Sequence, residues 1–260
     1  MFRDIPLVIF AGGSGTRLRE ETTQKPKPMV EIGGRPILWH IMKLYAQFGV
    51  RKFIICVGYK GDDIRNYFLS YKERNSDFTI NLGSSEQLLF HSQHLENDWE
   101  ITIAETGYET LTGARLKKVE KYIHSERFFC TYGDGLSDIN ISALLEYHLK
   151  SSKIGTLTAV KPQSRFGNLV LNAQNSVENF SEKPVGEGWI NGGFFIFEKS
   201  FFKYLNMEDA LEANPLTSLS LDGELSAFKH EGYWQPMDTY REKVLLEQLW
   251  NTGQAPWKTW

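Results

Sequence analysis

The sequence has only two cysteines in 260 residues, no apolar run long enough to span a membrane, and no surplus of basic charge. Each shortage excludes a class of protein. Cys56 and Cys130 lie inside the apolar runs FIICV and FFCTY, so they read as buried reduced thiols and not as a disulfide framework or zinc site. The opening MFRDIP puts Arg3, Asp4 and Pro6 ahead of a very short apolar run, which is unlike a secretion signal and points to a cytoplasmic protein. Lys and Arg number 29 against 32 Asp and Glu, so no basic excess is available for a nucleic-acid backbone and any basic site must be local. The six histidines show no metal-ligand spacing, and no Ser/His/Asp or Cys/His pairing suggests a covalent nucleophile. Internal repeats and low-complexity linkers are absent.

What is present reads as alternating strands and helices. Leu7–Phe10 is a short continuous apolar run, the pattern of a buried strand. After Pro36, Ile37, Ile41, Leu44 and Phe48 share one helical face, and Gly49 supplies a stop. KFIICV, WEITIAE and RFFCTY read as further strands. GDDIRNYFLSY, with acids in its first turn, reads as a helix, as do GARLKKVEKYI and NISALLEYHLKS. From Lys72 to Asp98 the pattern weakens, and SSEQLLFHSQHLEND matches no standard element; it reads as an arm outside the sheet that meets another subunit. Later, GTLTAV, NLVLN, SVENFS and GGFFIF read as strands, and YREKVLLEQLW as a last helix. The alternation predicts an α/β fold of Rossmann-like type, a mixed and mostly parallel sheet flanked by helices, forming one unit over residues 1–260. Residues 7–150 would form a nucleotide-binding half, and residues 151–250 a strand-rich half that completes a pocket for a second ligand.

Gly12, Gly13 and Gly15 come directly after the first strand, where open α/β sheets bind ligands. Glycine lets the main chain turn sharply and bring bare N–H groups close to an anion. The loop is not a dinucleotide fingerprint, because Leu18 stands where the third glycine belongs, and the Gly-Lys-Ser/Thr of a P-loop is missing. Arg17, Lys25 and Lys27 follow, the lysines in a proline-punctuated KPKP. Pro26 and Pro28 disfavour helix and hold the segment extended, which aims a lysine back at the loop. Charge-assisted contacts from Arg and Lys suit a triphosphate. A solvated basic turn is the plainer alternative.

Asp134, between two glycines in CTYGDGLSD, ends an apolar strand where a carboxylate can hold a hard cation. Mg²⁺ takes one or two carboxylates and completes its shell with phosphate oxygens and water. Asp238 in QPMDTY is the second candidate, with a helix-start acceptor as its alternative. Arg115 stands at the start of a helix, against the dipole, and so needs a compensating partner, either an anionic nucleotide or a surface ion pair. FSEKPVGEGWINGGFF gathers Glu182, Lys183 and Asn191, residues that suit sugar hydroxyls and a sugar phosphate, although a surface Glu–Lys pair is commoner. Trp189 and Trp234 stand near the same stretch; the other aromatics read as core.

Taken together, AGGSGTRL, KPKPMVEIGGRPILWHIM, VGYKG, TGARLKKV, TYGDGLSD, RFG, EKP, INGGFF and YWQPMDTYREK resemble the sugar-1-phosphate nucleotidylyltransferases. The resemblance runs from about Leu7 to about Leu249, and its later motifs narrow it to the cytidylyl-transferring branch. It implies a sheet of the nucleotide-diphospho-sugar transferase type, CTP and glucose 1-phosphate as substrates, Mg²⁺ as cofactor and a homo-oligomer. Residue by residue, it carries over Ala11, Gly12, Gly13, Gly15, Thr16, Arg17, Lys27, Thr110, Arg115 and Gly133 as nucleotide contacts. Gly167, Glu182, Lys183, Asn191 and Gly193 become sugar-phosphate contacts, and Asp134 and Asp238 metal ligands. Catalysis would fall to Arg17, Lys27, Asp134 and Lys183. Three rivals stay open: the same chemistry with UTP, dTTP or another hexose phosphate; a non-catalytic nucleotide-sugar sensor; and a nicotinamide oxidoreductase. The intact Lys27 and acidic pair count against the second, and the missing third glycine against the third.

Overall fold

A strand buried along its whole length must be covered on both faces, and Leu7–Ala11 is such a strand. In the computed structural model, which describes residues 2–83, 88–162, 168–181 and 188–260, it pairs in parallel with Lys52–Val57 on one side and Arg127–Tyr132 on the other. Glu100–Glu105 extends the sheet in parallel beyond Lys52–Val57. The other flank comes from the second half of the chain. Ile190–Glu198 runs antiparallel to Arg127–Tyr132, Gly155–Val160 antiparallel to Ile190–Glu198, and Leu225–His230 parallel to Gly155–Val160 at the edge. One strand of the seven is reversed, so the sheet is mixed and mostly parallel, as the alternation predicts. The sequence reading passes over Leu225–His230, whose side chains are all at least partly exposed and carry no continuous apolar run.

Alternation along the first strand separates two cores. Leu7, Ile9 and Ala11 pack with the helices Ile37–Ala46 and Ile141–Ser151 on one face. Val8 and Phe10 pack on the other face with residues of the helices Thr112–Val119 and Asn214–Leu221. The first of these helices ends at Ala46, and Gly49, at φ +99°, turns the chain so that its N–H bonds Ala46 O. GARLKKVEKYI becomes an α-helix that begins three residues earlier than Arg115, at Thr112, and finishes as a 3-10 turn over Glu120–Tyr122. Both cysteines are buried and free, and burial pushes the Cys56 thiol up to about 12. No helix among the described residues is long and apolar enough to cross a membrane.

Among the described residues four two-stranded ribbons lie outside the sheet, and two of them bear on the sequence reading and the site. In the Lys72–Asp98 stretch, Phe78–Ile80 pairs antiparallel with Leu88–Phe90, a hairpin where the sequence shows no standard element. Alternation is hard to see there because apolar residues occupy both strands and leave Ile80 and Leu89 exposed. The second ribbon pairs Gly135–Ser137 with Trp234–Pro236, Gly135 opposite Pro236. It fastens the carboxyl end of the Arg127–Tyr132 strand to the approach of the last helix, Tyr240–Asn251.

A buried histidine pins the C-terminal tail. Nε2 of His40 donates to Ile32 O at 2.8 Å, and its Nδ1 accepts from Trp257 Nε1 at 3.4 Å, an arrangement that requires the neutral ring. Burial lowers its pKa from 6.5 to about 4. The unfolded chain therefore takes up this proton first, and stability falls as pH drops from 6.5 towards 4. Urea titrations between pH 7 and pH 4.5 should show the wild type losing roughly 2 kcal/mol more than His40→Gln over that interval. Parallel losses in the two proteins would contradict this.

Candidate functional site

The glycine loop sits at the carboxyl ends of the parallel strands and opens onto a cavity of about 540 Å³. Gly15 adopts φ +60°, a left-handed turn that glycine takes without strain, and its carbonyl receives the Leu18 N–H and the Thr22 hydroxyl. The KPKP segment is extended at Pro26 but not at Lys27 and Pro28. Lys27–Met29 forms a 3-10 turn with Pro28 at its second position, where a missing N–H is no loss. That turn carries the Lys27 side chain inward beneath the loop.

Gly133 is required by close approach. Its N–H bonds Phe10 O at 3.0 Å, and a Cβ there would lie 2.7 Å from the same carbonyl. Asp134 is thus delivered against the end of the first strand. The Trp234–Pro236 ribbon then brings Met237 N–H to within 2.8 Å of Asp134 O, and Asp238 follows directly. Two carboxylates more than 100 residues apart in sequence meet at one point. The ammonium of Lys27 occupies it, 2.6 Å from Asp134 Oδ2 and 2.6 Å from Asp238 Oδ1. The other Asp238 oxygen takes Arg17 Nη1 at 3.1 Å, from a side chain that is 75% exposed.

The helix-start alternative for Asp238 is not what the structure shows. Thr239 is the N-cap, its hydroxyl bonded by Glu242 N–H, with Glu242 returning to the cap backbone in a capping box. The neighbouring residue does the capping, and the Asp238 side chain faces Lys27. Burial raises the Asp238 pKa, but the hydrogen bond and charge of Lys27, with those of Arg17, outweigh it and hold the carboxyl below its usual range. Burial likewise lowers Lys27, and the two aspartates more than restore it, so the ammonium stays charged. Carboxylates that converge on one cation in this way suit a divalent ion that takes its remaining ligands from phosphate and water. Among the described residues no cluster of three or more metal-binding side chains occurs.

All ten nucleotide candidates line the cavity, but they do so differently. Gly13 has open space where a Cβ would stand. Arg115 is 4% exposed, and its guanidinium is spent on Gly12 O, Val57 O, Tyr108 O and Thr106 Oγ1. This answers the dipole objection: the side chain turns away from its helix and ties the glycine loop to two neighbouring segments. The Thr110 hydroxyl donates to Thr106 O at 2.6 Å and accepts from Lys118 Nζ. Lys25 is outside the cavity, paired loosely with Glu31 at 3.5 Å.

On the second-half side, Asn191 caps its own strand bend by accepting from Gly193 N–H, and donates to the Tyr132 hydroxyl at 3.3 Å. Gly193 adopts φ +80° against the Tyr132 ring. Neither of these two residues lines the cavity itself. Trp234 donates from Nε1 to Gly192 O at 2.8 Å, while Trp189 lies beside Lys161 and Lys229. Gly167, Glu182 and Lys183 lie outside the described residues. Sequence reasoning missed Tyr132, Tyr108 and Glu212, all on the cavity wall. Tyr132 could have been suspected from its place two residues before Asp134; nothing in the irregular stretch around Glu212 marks it.

Fold and site together define an enzyme-like crevice for a phosphorylated ligand, and the comparisons specify the class. Residues 7–235 match the nucleotidyl transferase family, and the chain belongs to it. Glucose-1-phosphate cytidylyltransferase from Salmonella typhimurium is 50% identical over 97% of this chain and 98% of its own, as is the enzyme of that name from Salmonella typhi. Among solved structures, HddC from Yersinia pseudotuberculosis matches with a TM-score of 0.71 at 23% identity, covering 95% of this chain and 99% of that one. That likeness shows the fold alone.

Removing the shared cation should expose the repulsion it neutralises. Lys27→Met is expected to destabilise the protein at pH 7 by about 1–3 kcal/mol. Asp238 is depressed by Lys27, so this contribution is present above the ordinary carboxylate range and lost as pH falls through it. Calorimetry from pH 7 to pH 3 should show the gap from wild type shrinking; a constant gap would contradict the assignment.

Proposed function

We propose that the protein transfers a cytidylyl group from CTP to α-D-glucose 1-phosphate, giving CDP-glucose and pyrophosphate. The observation that carries the reading is the meeting of Lys27, Asp134, Asp238 and Arg17 beside the glycine loop. The full-length similarity to enzymes of that name supports the choice of substrates. In this reaction an oxygen of the sugar phosphate attacks the α-phosphorus of CTP, the α–β phosphoanhydride bond breaks, and pyrophosphate departs in line. No covalent enzyme intermediate is needed. The protein's task is alignment and neutralisation of charge.

The residues divide that task by position. Backbone N–H groups of the loop at Gly12, Gly13 and Gly15 cradle phosphate oxygens. Arg17, exposed at the mouth, stabilises the departing pyrophosphate. Lys27, three-dimensionally central, neutralises charge growing at the α-phosphate. Asp134 and Asp238 would hold Mg²⁺, whose contribution is to screen the phosphates of both substrates. Arg115 keeps the loop in place from behind. By the family likeness, the sugar phosphate would fall to Lys183, and the hexose to Glu182, Gly167 and Gly193.

Pyrophosphate release should be measured with Mg²⁺ and glucose 1-phosphate, for CTP, UTP, dTTP, ATP and GTP separately. CTP is expected to exceed every other nucleotide by at least about 100-fold in kcat/KM. Activity favouring another nucleotide would keep the chemistry and overturn the choice of base. No release with any nucleotide would overturn the reading and favour a nucleotide-sugar sensor.

A further inference from the structure

Glu212 has no part in the roles assigned above, yet its carboxylate stands on the cavity wall. It belongs to the irregular stretch between the 3-10 segment Lys199–Tyr204 and the helix Asn214–Leu221. Backbone bonds fix that stretch against the start of the Thr112–Val119 helix: Ala114 N–H donates to Asp209 O at 3.0 Å, and Leu211 N–H to Thr112 Oγ1 at 2.8 Å. The Glu212 side chain is then held by two hydroxyls. Tyr132 donates to Oε1, and Thr112 donates to Oε2 at 2.7 Å.

The direction of these bonds is determined. Leu211 N–H can only donate, so Thr112 Oγ1 accepts it and spends its own hydrogen on Glu212. Asn191 Nδ2 can only donate, so the Tyr132 oxygen accepts it and its hydrogen also goes to Glu212. The carboxylate therefore ends a donor chain from each side, and each oxygen keeps acceptor capacity for the cavity. Such a group repels phosphate and cannot serve a carbonyl. Whatever part of a substrate meets it must donate hydrogen bonds. The ring hydroxyls of a sugar fit this, because neighbouring hydroxyls can donate to both oxygens of one carboxylate together.

We propose that Glu212 accepts a hydrogen bond from a ring hydroxyl of a substrate sugar, either the ribose of the nucleotide or the hexose of the sugar phosphate. It thereby sets the preference for the hydroxylated over the deoxygenated substrate. Tyr132, Thr112 and Asn191 are positioning residues, acting through the carboxylate. The inference rests on the nucleotidyl-transfer reading above.

The test compares wild type, Glu212→Gln and Glu212→Ala in pyrophosphate release. One arm uses CTP against 2′-deoxy-CTP and 3′-deoxy-CTP; the other uses glucose 1-phosphate against its 2-, 3- and 4-deoxy analogues. Wild type should prefer the hydroxylated member of one pair by at least about tenfold, and Glu212→Ala should reduce that preference to within about threefold. Glu212→Gln, which keeps shape and one acceptor oxygen, should fall between. The arm that changes identifies the sugar. Equal losses on every substrate with unchanged ratios would show a structural role and overturn the proposal, as would a change confined to CTP against UTP, the mark of a base-amine contact. An inactive wild type would instead fail the nucleotidyl-transfer reading, so the two failures are distinguishable.

Discussion

The site depends on one ammonium group held between two carboxylates. Lys27 lies 107 residues from Asp134 and 211 from Asp238, and it reaches both at 2.6 Å. Little of the Lys27 side chain is exposed, 10% against 30% and 20% for its partners, so the charges interact through a partly desolvated space. An isolated charge in that place would be costly, and two carboxylates without a cation more so. The requirement that one positive centre satisfy both aspartates explains much of the local architecture. It needs the 3-10 turn that directs Lys27 inward, the glycine that lets Asp134 approach the first strand, and the ribbon that delivers Asp238.

The same arrangement suits phosphate chemistry. The cluster sets cations that could meet phosphates beside carboxylates that would hold a divalent ion. Arg115 illustrates the other half of the design. Its buried guanidinium binds protein carbonyls, so it stiffens the loop that the ligand meets. Preorganisation of this kind lets fixed dipoles act without reordering at the moment of reaction.

Most of the sheet was legible because its central strands are buried on both faces and therefore spell continuous apolar runs. KFIICV and RFFCTY are examples, each flanked by helices with clear periodicity. The glycine loop, Lys27, Asp134 and Asp238 were legible through local chemistry and family likeness. The sequence did not show what joins them. The pairing of Gly135–Ser137 with Trp234–Pro236 is a contact across about 100 residues between short strands with no period of their own. The helix that carries Arg115 starts three residues earlier, at Thr112, and the charge pattern does not reveal that the guanidinium turns onto the Gly12, Val57 and Tyr108 carbonyls. Glu212 sits in a polar, irregular stretch whose position depends on backbone bonds to a helix 100 residues away. The edge strand Leu225–His230 was invisible for the opposite reason to the core strands: it is half exposed and patterned by its neighbours.

In the proposed reaction Lys27 is the cation that serves the transferring phosphoryl group. Single-turnover transfer, with both substrates and Mg²⁺ saturating, tests it most directly in Lys27→Met against wild type. The variant's rate is expected to be lower by about 100-fold or more, with the KM for glucose 1-phosphate changed only a few-fold. A transfer rate equal to that of the wild type would contradict it.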